Sequence, residues 1–149
     1  MGGGTADDGA ASNAAHRLSS QRTELIERLG DLPETRLSKP TPRHGWTLRH
    51  ELAWLAAADE ELLQRLALAA GSTSNEPHWR RVRGEAMHAA QEMRLAALRT
   101  HLEESGVRAA ASLREHEARL EQPPIRDALE SHDAHAAAAL ASLIAVLAK

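Results

Sequence analysis

The chain contains no cysteine, which excludes disulfides, thiolate zinc sites and a cysteine nucleophile. Any metal would have to be held by histidine and carboxylate side chains. Phenylalanine and tyrosine are absent too, and three tryptophans stand alone as large aromatics. With strand formers this scarce and alanine, leucine and arginine abundant, the composition implies an all-α fold whose helices pack closely through small residues. Long apolar runs are also missing. The longest, from Ala136 to Ala148, is broken by Ser142 and falls short of the roughly 20 residues that span a bilayer, so no membrane role is expected. Nor is there an excess of positive charge. A net charge of −3 with arginine and glutamate interspersed argues against nucleic acid as a partner. The only basic cluster, Arg80-Arg81-Val82-Arg83, is flanked by Glu76 and Glu85 and reads as a solvated face.

At 149 residues the chain reads as one domain over residues 14–149, preceded by a tail. Met1 to Asn13 is rich in glycine, alanine and aspartate, with no large apolar residue after Met1 to offset the entropy of ordering, and is expected to be disordered. It carries no apolar core of a signal peptide, and Ala6 stands where N-myristoylation prefers Ser or Thr. A soluble, cytoplasmic protein is the expectation.

Apolar periodicity predicts a first helix from about Ala14 to Gly30, carrying Leu18, Leu25 and Leu29 with Ile26 beside them. Pro33, Pro40 and Pro42 then exclude a helix interior and predict a long connector to Trp46. A second helix runs from Leu48 to about Ala70 and is closed by the turn cluster Gly71 to Asn75. Helix returns after Pro77, with a kink or break near Met93 where the phase shifts, and continues past Ser105-Gly106 to Gln122. The last helix, opened by Pro124 and running to Leu147, has the stripe Ile125, Leu129, His132, Ala136, Leu140, Leu143 and Leu147. Four principal striped helices of this kind predict a four-helix bundle with a long Pro-rich connector after the first helix.

The second helix organises the rest. Thr47 is a good N-cap, Trp46 can close over the helix start, and Leu48, Leu52, Leu55, Asp59, Leu62 and Leu66 recur at steps of four and three. One member of that stripe is a carboxylate. Asp59 therefore faces a polar pocket inside the bundle or lies at the wet edge of the stripe, because a carboxylate buried without partners is too costly.

The same stretch carries a resemblance. Gly45-Trp46-Thr47-Leu48-Arg49 followed by Leu52-Ala53-Trp54-Leu55-Ala56 is similar to the G-W-T/S-V-R-x-x-x-A-H-L-A signature of the DinB-like superfamily, in particular the metal-binding domain of mycothiol-dependent maleylpyruvate isomerases. That resemblance implies a DinB-like four-helix bundle with a metal site between its second and last helices. It also implies a thiol-dependent isomerase or transferase ancestry, with mycothiol as cosubstrate and a divalent metal, zinc or nickel, activating the thiol. The first ligand position falls on Trp54, where the family has histidine. On the last helix the family has two ligands four residues apart, which here are His132 and Ala136.

Nine histidines invite a metal reading, but most have an ordinary one. His16, His44, His78 and His101 fall where exposed histidine is usual, His116 is in step with Leu113 and Leu120 as a core or edge residue, and His88 belongs to a polar cluster with no evident mechanism. His50 points away from its stripe. His132 and His135 differ, since three residues apart they can face the bundle interior together. In a metal reading His132 is the first ligand and His135 the second, with Asp59 or water completing the sphere. The rival is a non-catalytic helical module that binds a small molecule or thiol, or a second copy of itself. There Trp54 fills the volume of a metal and its waters, and its indole N–H donates to Asp59 or His132.

Overall fold

The computed structural model describes residues 5–71, 78–119 and 121–147. All its elements are helical: α1 (Thr5–Leu29), α2 (Leu48–Gly71), α3 (Trp79–Gln91), α4 (Leu95–Glu115) and α5 (Pro123–Leu147), with short 3-10 helices at Glu34–Ser38 and Glu117–Arg119. No strand occurs among the described residues, where an isolated bridge joins Pro40 and Thr47. The helix begins at Thr5, N-terminal of Ala14, where the apolar pattern starts. Of the predicted turn cluster Gly71 to Asn75, Gly71 is the last residue of α2 and residues 72–75 lie outside the described residues, as do residues 1–4 of the expected tail.

Helix α2 is the central element. It packs against α5, α3 and α4, while α1 packs on α4. Because α3 lies along its outer side, α2 is buried almost all round, and Glu51, Asp59 and Glu61 are buried with its leucines and alanines. Two apolar clusters fill the interior. Leu25, Leu29, Leu52, Leu55, Leu98, Leu102 and Leu143 belong to one, and Ala15, Leu18, Leu62, Leu66, Leu113 and Ile125 to the other.

The Pro-rich connector is ordered by its own backbone. Thr41 N–H donates to Trp46 O (3.0 Å) and Leu48 N–H to Lys39 O (2.9 Å), a tight loop in which Gly45 adopts φ 78°, a region that disfavours side chains. At the start of α2, His50 Nδ1 accepts from the Thr47 backbone N–H (2.9 Å) and lies 3.0 Å from the Thr47 hydroxyl. This is the reciprocal half of a capping box, with an imidazole in place of the usual Glu or Gln. The hydroxyl thus faces the imidazole, where the sequence predicted a bond to a backbone N–H of the first turn.

The phase shift near Met93 is a true break. Helix α3 stops at Gln91 and α4 starts at Leu95, and Arg49 of α2 donates to the carbonyls of Gln91 (2.6 Å) and Met93 (2.5 Å) across the gap. Glu34 caps the new helix through the Leu95 N–H (2.7 Å). Ser105 and Gly106, by contrast, lie inside an unbroken α4.

Candidate functional site

Between the two apolar clusters lies a polar layer, to which each long helix contributes one side chain. Asp59 of α2, with 0% exposure, accepts from both ends of the Arg22 guanidinium of α1 at 2.6 and 3.0 Å. Ser105 of α4 donates to the same carboxylate (2.6 Å), and His132 Nε2 of α5 lies 2.9 Å from its Oδ1. Each carboxylate oxygen thus has two partners, which exhausts its lone pairs. The remaining Arg22 capacity is used in part by the Leu102 carbonyl at 2.7 Å. Of the two positions open to Asp59 from the sequence, the structure selects the interior one.

The layer is possible because Gly106 leaves room for it. A Cβ there would meet Arg22 Cγ at 2.8 Å and Nη1 at 2.9 Å, so the arginine side chain lies across the bare backbone of α4.

Electrostatics fix the protonation pattern. Burial alone would raise the Asp59 pKa, but the Arg22 charge and the bonds from His132 and Arg22 outweigh it and hold the carboxyl well below its ordinary range. Burial opposes an imidazolium at His132, yet Asp133 and Asp59 prevail and raise its pKa above 6.5. Since Asp59 is a carboxylate, the ring nitrogen that meets it is the donor, Nε2–H. His132 Nδ1 is buried without a hydrogen-bond partner, 3.8 Å from Asp133 Oδ1.

A second group of side chains lies where α2 meets α5 and the connector. Trp54 packs edge-on against His135 (4.8 Å between ring centroids) and against Trp46 (5.8 Å). Arg43 stacks over Trp46 at 4.5 Å and reaches the buried Glu51 at 3.0 Å, an ion pair misaligned for a hydrogen bond. Glu51 also accepts from the Thr41 hydroxyl at 2.9 Å. Glu61, buried further along α2, pairs with Arg65 and Arg83, each at 2.7 Å, and accepts from Ser131 at 3.2 Å. His135 is only partly buried, and burial together with the Arg83 charge lowers its pKa.

The residues singled out in the sequence are thus divided between two environments. Asp59 and His132 meet in the polar layer, whereas Trp54 and His135 meet outside it. The expected bond from the Trp54 indole to Asp59 or His132 is absent, because the Asp59 acceptor sites are filled by Arg22, Ser105 and His132, and Trp54 Nε1 has no partner. The basic cluster is also divided: Arg80 and Arg81 are exposed, but Arg83 turns inward to Glu61. His116, at the end of α4, is buried and its Nδ1 lies 2.8 Å from Ser112 O, while His16, His44, His78 and His88 are exposed.

These residues do not fit the metal that the DinB-like resemblance implies. Trp54 and Ala136 offer no lone pair, the Nε2 of His132 carries a proton to Asp59, and His135 is set edge-on to an indole. Among the described residues no group of three His, Asp or Glu side chains is arranged to hold a metal ion.

Two of the three partners of Asp59, Arg22 and Ser105, leave a trace in the sequence that the apolar stripes alone do not interpret. Arg22 stands on the α1 stripe between Leu18 and Leu25, and Ser105 stands between Leu102 and Ala109 on α4. An arginine and an aspartate interrupting two otherwise apolar stripes is a signal that the stripes face one another. Glu51 and Glu61 gave no such signal, since they lie off the α2 stripe and are buried by α3, α5 and the connector. No family model, curated protein or solved structure matches this chain.

Proposed function

We propose that the chain is a DinB-like bundle in which the metal centre is degenerate, and that it acts as a non-catalytic module binding a small molecule. The observation that carries this reading is the Trp54–His135 contact at 4.8 Å. It fills the space between the second and last long helices in which the resemblance implies a metal and its waters. The thiol transfer of the family has no activating group in such a site, so mycothiol and a divalent metal are features of ancestry here rather than of activity.

Elemental analysis of protein purified without a His tag tests the reading directly, with zinc and nickel expected below stoichiometry. The complementary test restores the ligands. Trp54→His with Ala136→His returns imidazoles to the two family positions on α2 and α5, and with a metal displacing the His132 Nε2 proton from its bond to Asp59 this variant should gain zinc or nickel binding that the natural chain lacks. Removing the packed indole should cost about 2–4 kcal/mol, and added metal should raise the variant's Tm by mass action. A natural protein that holds stoichiometric metal as tightly as the double variant overturns the proposal. The second reading, a self-associating module, rests on the outward side of α5, where Ile144 is 49% exposed beside exposed Ala137, Ala138 and Ala141. Ile144→Lys should then shift the sedimentation coefficient to that of a monomer.

A further inference from the structure

Two arginines come within electrostatic reach of His135 where it meets Trp54 of α2. Arg43, from the connector, is held by the buried Glu51, and Arg83, from α3, by the buried Glu61. The arginine side chains are 26% and 20% exposed, so each is anchored at one edge and open to solvent at another. Among the described residues nothing accepts from Arg43 Nε and Nη1 or from Arg83 Nε and Nη2, the His135 ring nitrogens make no hydrogen bond, and none of these atoms is enclosed. We propose that the seam over Trp54, flanked by Arg83 of α3 and His135 of α5, binds a small aromatic monocarboxylate, whose oxygens accept from Arg83 within the field of Arg43. The inference gives a ligand class to the binding role proposed above and rests on it.

The charge of the ligand follows from the ion pairs. A guanidinium carries its N–H donors in a rigid fork, so an arginine bound to one carboxylate along one edge can still take a planar oxyanion along another. Arg83 donates to Glu61 through Nη1 alone, at 2.7 Å. Because that bond already fixes the side chain, little rotamer freedom is left to lose on binding. Around the seam three arginines, Arg43, Arg65 and Arg83, face two carboxylates, Glu51 and Glu61, which leaves one positive charge in excess. A monoanion balances it, and a dianion would overshoot it beside two buried carboxylates.

The body of the ligand follows from the rings. The Arg83 guanidinium carbon lies 6.0 Å from the centre of the Trp54 ring, which is 4.8 Å from His135 and 5.8 Å from Trp46. All three rings are partly exposed. A carboxylate seated on Arg83 therefore carries its substituent onto aromatic surface, where an aryl group gains stacked or edge contacts that a methyl group does not.

The test uses the full chain and sodium benzoate at neutral pH, with acetate, benzamide, benzylammonium and phosphate as comparisons, followed by calorimetry and by the NMR signals of the tryptophan indoles and histidine rings. Saturable benzoate binding with half-saturation at about 1 mM or lower, shifting the Trp54 and His135 signals, is the expected result. Acetate lacks the ring and benzamide the charge, so each should bind about tenfold more weakly or worse. Arg83→Met should lose about tenfold or more and Arg43→Met about threefold. Glu61 keeps Arg65 and Ser131 as partners in the Arg83 variant, and an unchanged Tm will show that its fold is retained. Should that variant unfold, the ranking of the five ligands on the natural chain still decides. No saturation below about 20 mM, any comparison ligand binding as tightly as benzoate, undiminished binding by folded Arg83→Met, or shifts confined to residues away from Trp54 and His135 would each overturn the assignment. Metal content decides the reading of the degenerate centre separately, so a metal-free chain that ignores benzoate loses only its ligand class.

Discussion

Adding one methyl group at each of two helical glycines should move stability in opposite directions. Gly84 of α3 has no atom within 4 Å of a Cβ position, so Gly84→Ala gains helix propensity and nothing opposes it. A stabilisation of about 0.5–1 kcal/mol is expected. At Gly106 the same propensity gain is outweighed. The new Cβ would stand 2.8 Å from Arg22 Cγ, close to the root of the side chain, and 2.9 Å from a guanidinium nitrogen that is bonded to Asp59 and Leu102. The arginine cannot swing aside without releasing a buried carboxylate. Overpacking costs about 1–3 kcal/mol, and weakening one charged hydrogen bond adds about 1.5 kcal/mol. Subtracting about 1 kcal/mol of propensity leaves a net loss of roughly 2 kcal/mol, hence a fall of about 4–8 °C in Tm for a chain of this size. Urea denaturation of both variants, read at constant m-value, gives the two signs. If Gly106→Ala proves as stabilising as Gly84→Ala, Arg22 does not lie across α4 and the polar layer is misassigned.

Asp59→Asn should cost about 3–5 kcal/mol, because it leaves Arg22 buried without its counter-charge. Since the folded-state pKa of Asp59 is depressed, its contribution is fully present above the ordinary value of 3.8 and is lost as pH falls through the folded value. The wild type should therefore lose stability with acid below about pH 4 more steeply than the variant does, as thermal melts across that window will show. His132→Ala should cost about 2–4 kcal/mol and exceed every other histidine substitution, with His116→Ala nearer 1 kcal/mol; a reversed order in chemical denaturation would refute the ranking. Because the His132 pKa is raised, its stabilisation is complete below 6.5 and declines as pH rises through the folded value, a slope that His132→Gln should remove. His50→Ala should cost about 1 kcal/mol through loss of the bond to the Thr47 N–H, and His50→Gln should recover part of it.

The helices were legible because leucine spacing, prolines and turn residues act locally. The α2 stripe, the break near Met93 and the start of α5 at its proline pair all follow from residues near one another in sequence. Asp59 was legible as an anomaly for the same reason, since periodicity alone puts it on an apolar stripe. The stripe positions of Arg22, Ser105 and His132 mark them as candidates, but the pairing itself was not legible, because they reach Asp59 from three other helices and it depends on how those helices dock. His135 shows the limit most clearly. A three-residue step places it near His132 on α5, but Trp54 of α2, an aromatic surface rather than a ligand, decides which environment its ring enters.

A carboxylate whose four acceptor sites are filled from three other helices has a consequence for the folding reaction itself. Any partly assembled form that docks α2 without α1 either leaves Asp59 in water, and so keeps the interior open, or buries a charge with no counter-ion. The contacts that relieve this span 37, 46 and 73 residues of chain, so they close late and together. Intermediates with two or three docked helices are thereby disfavoured. Unfolding should be all-or-none, with fluorescence of the tryptophans beside the connector and helical circular dichroism reporting one transition.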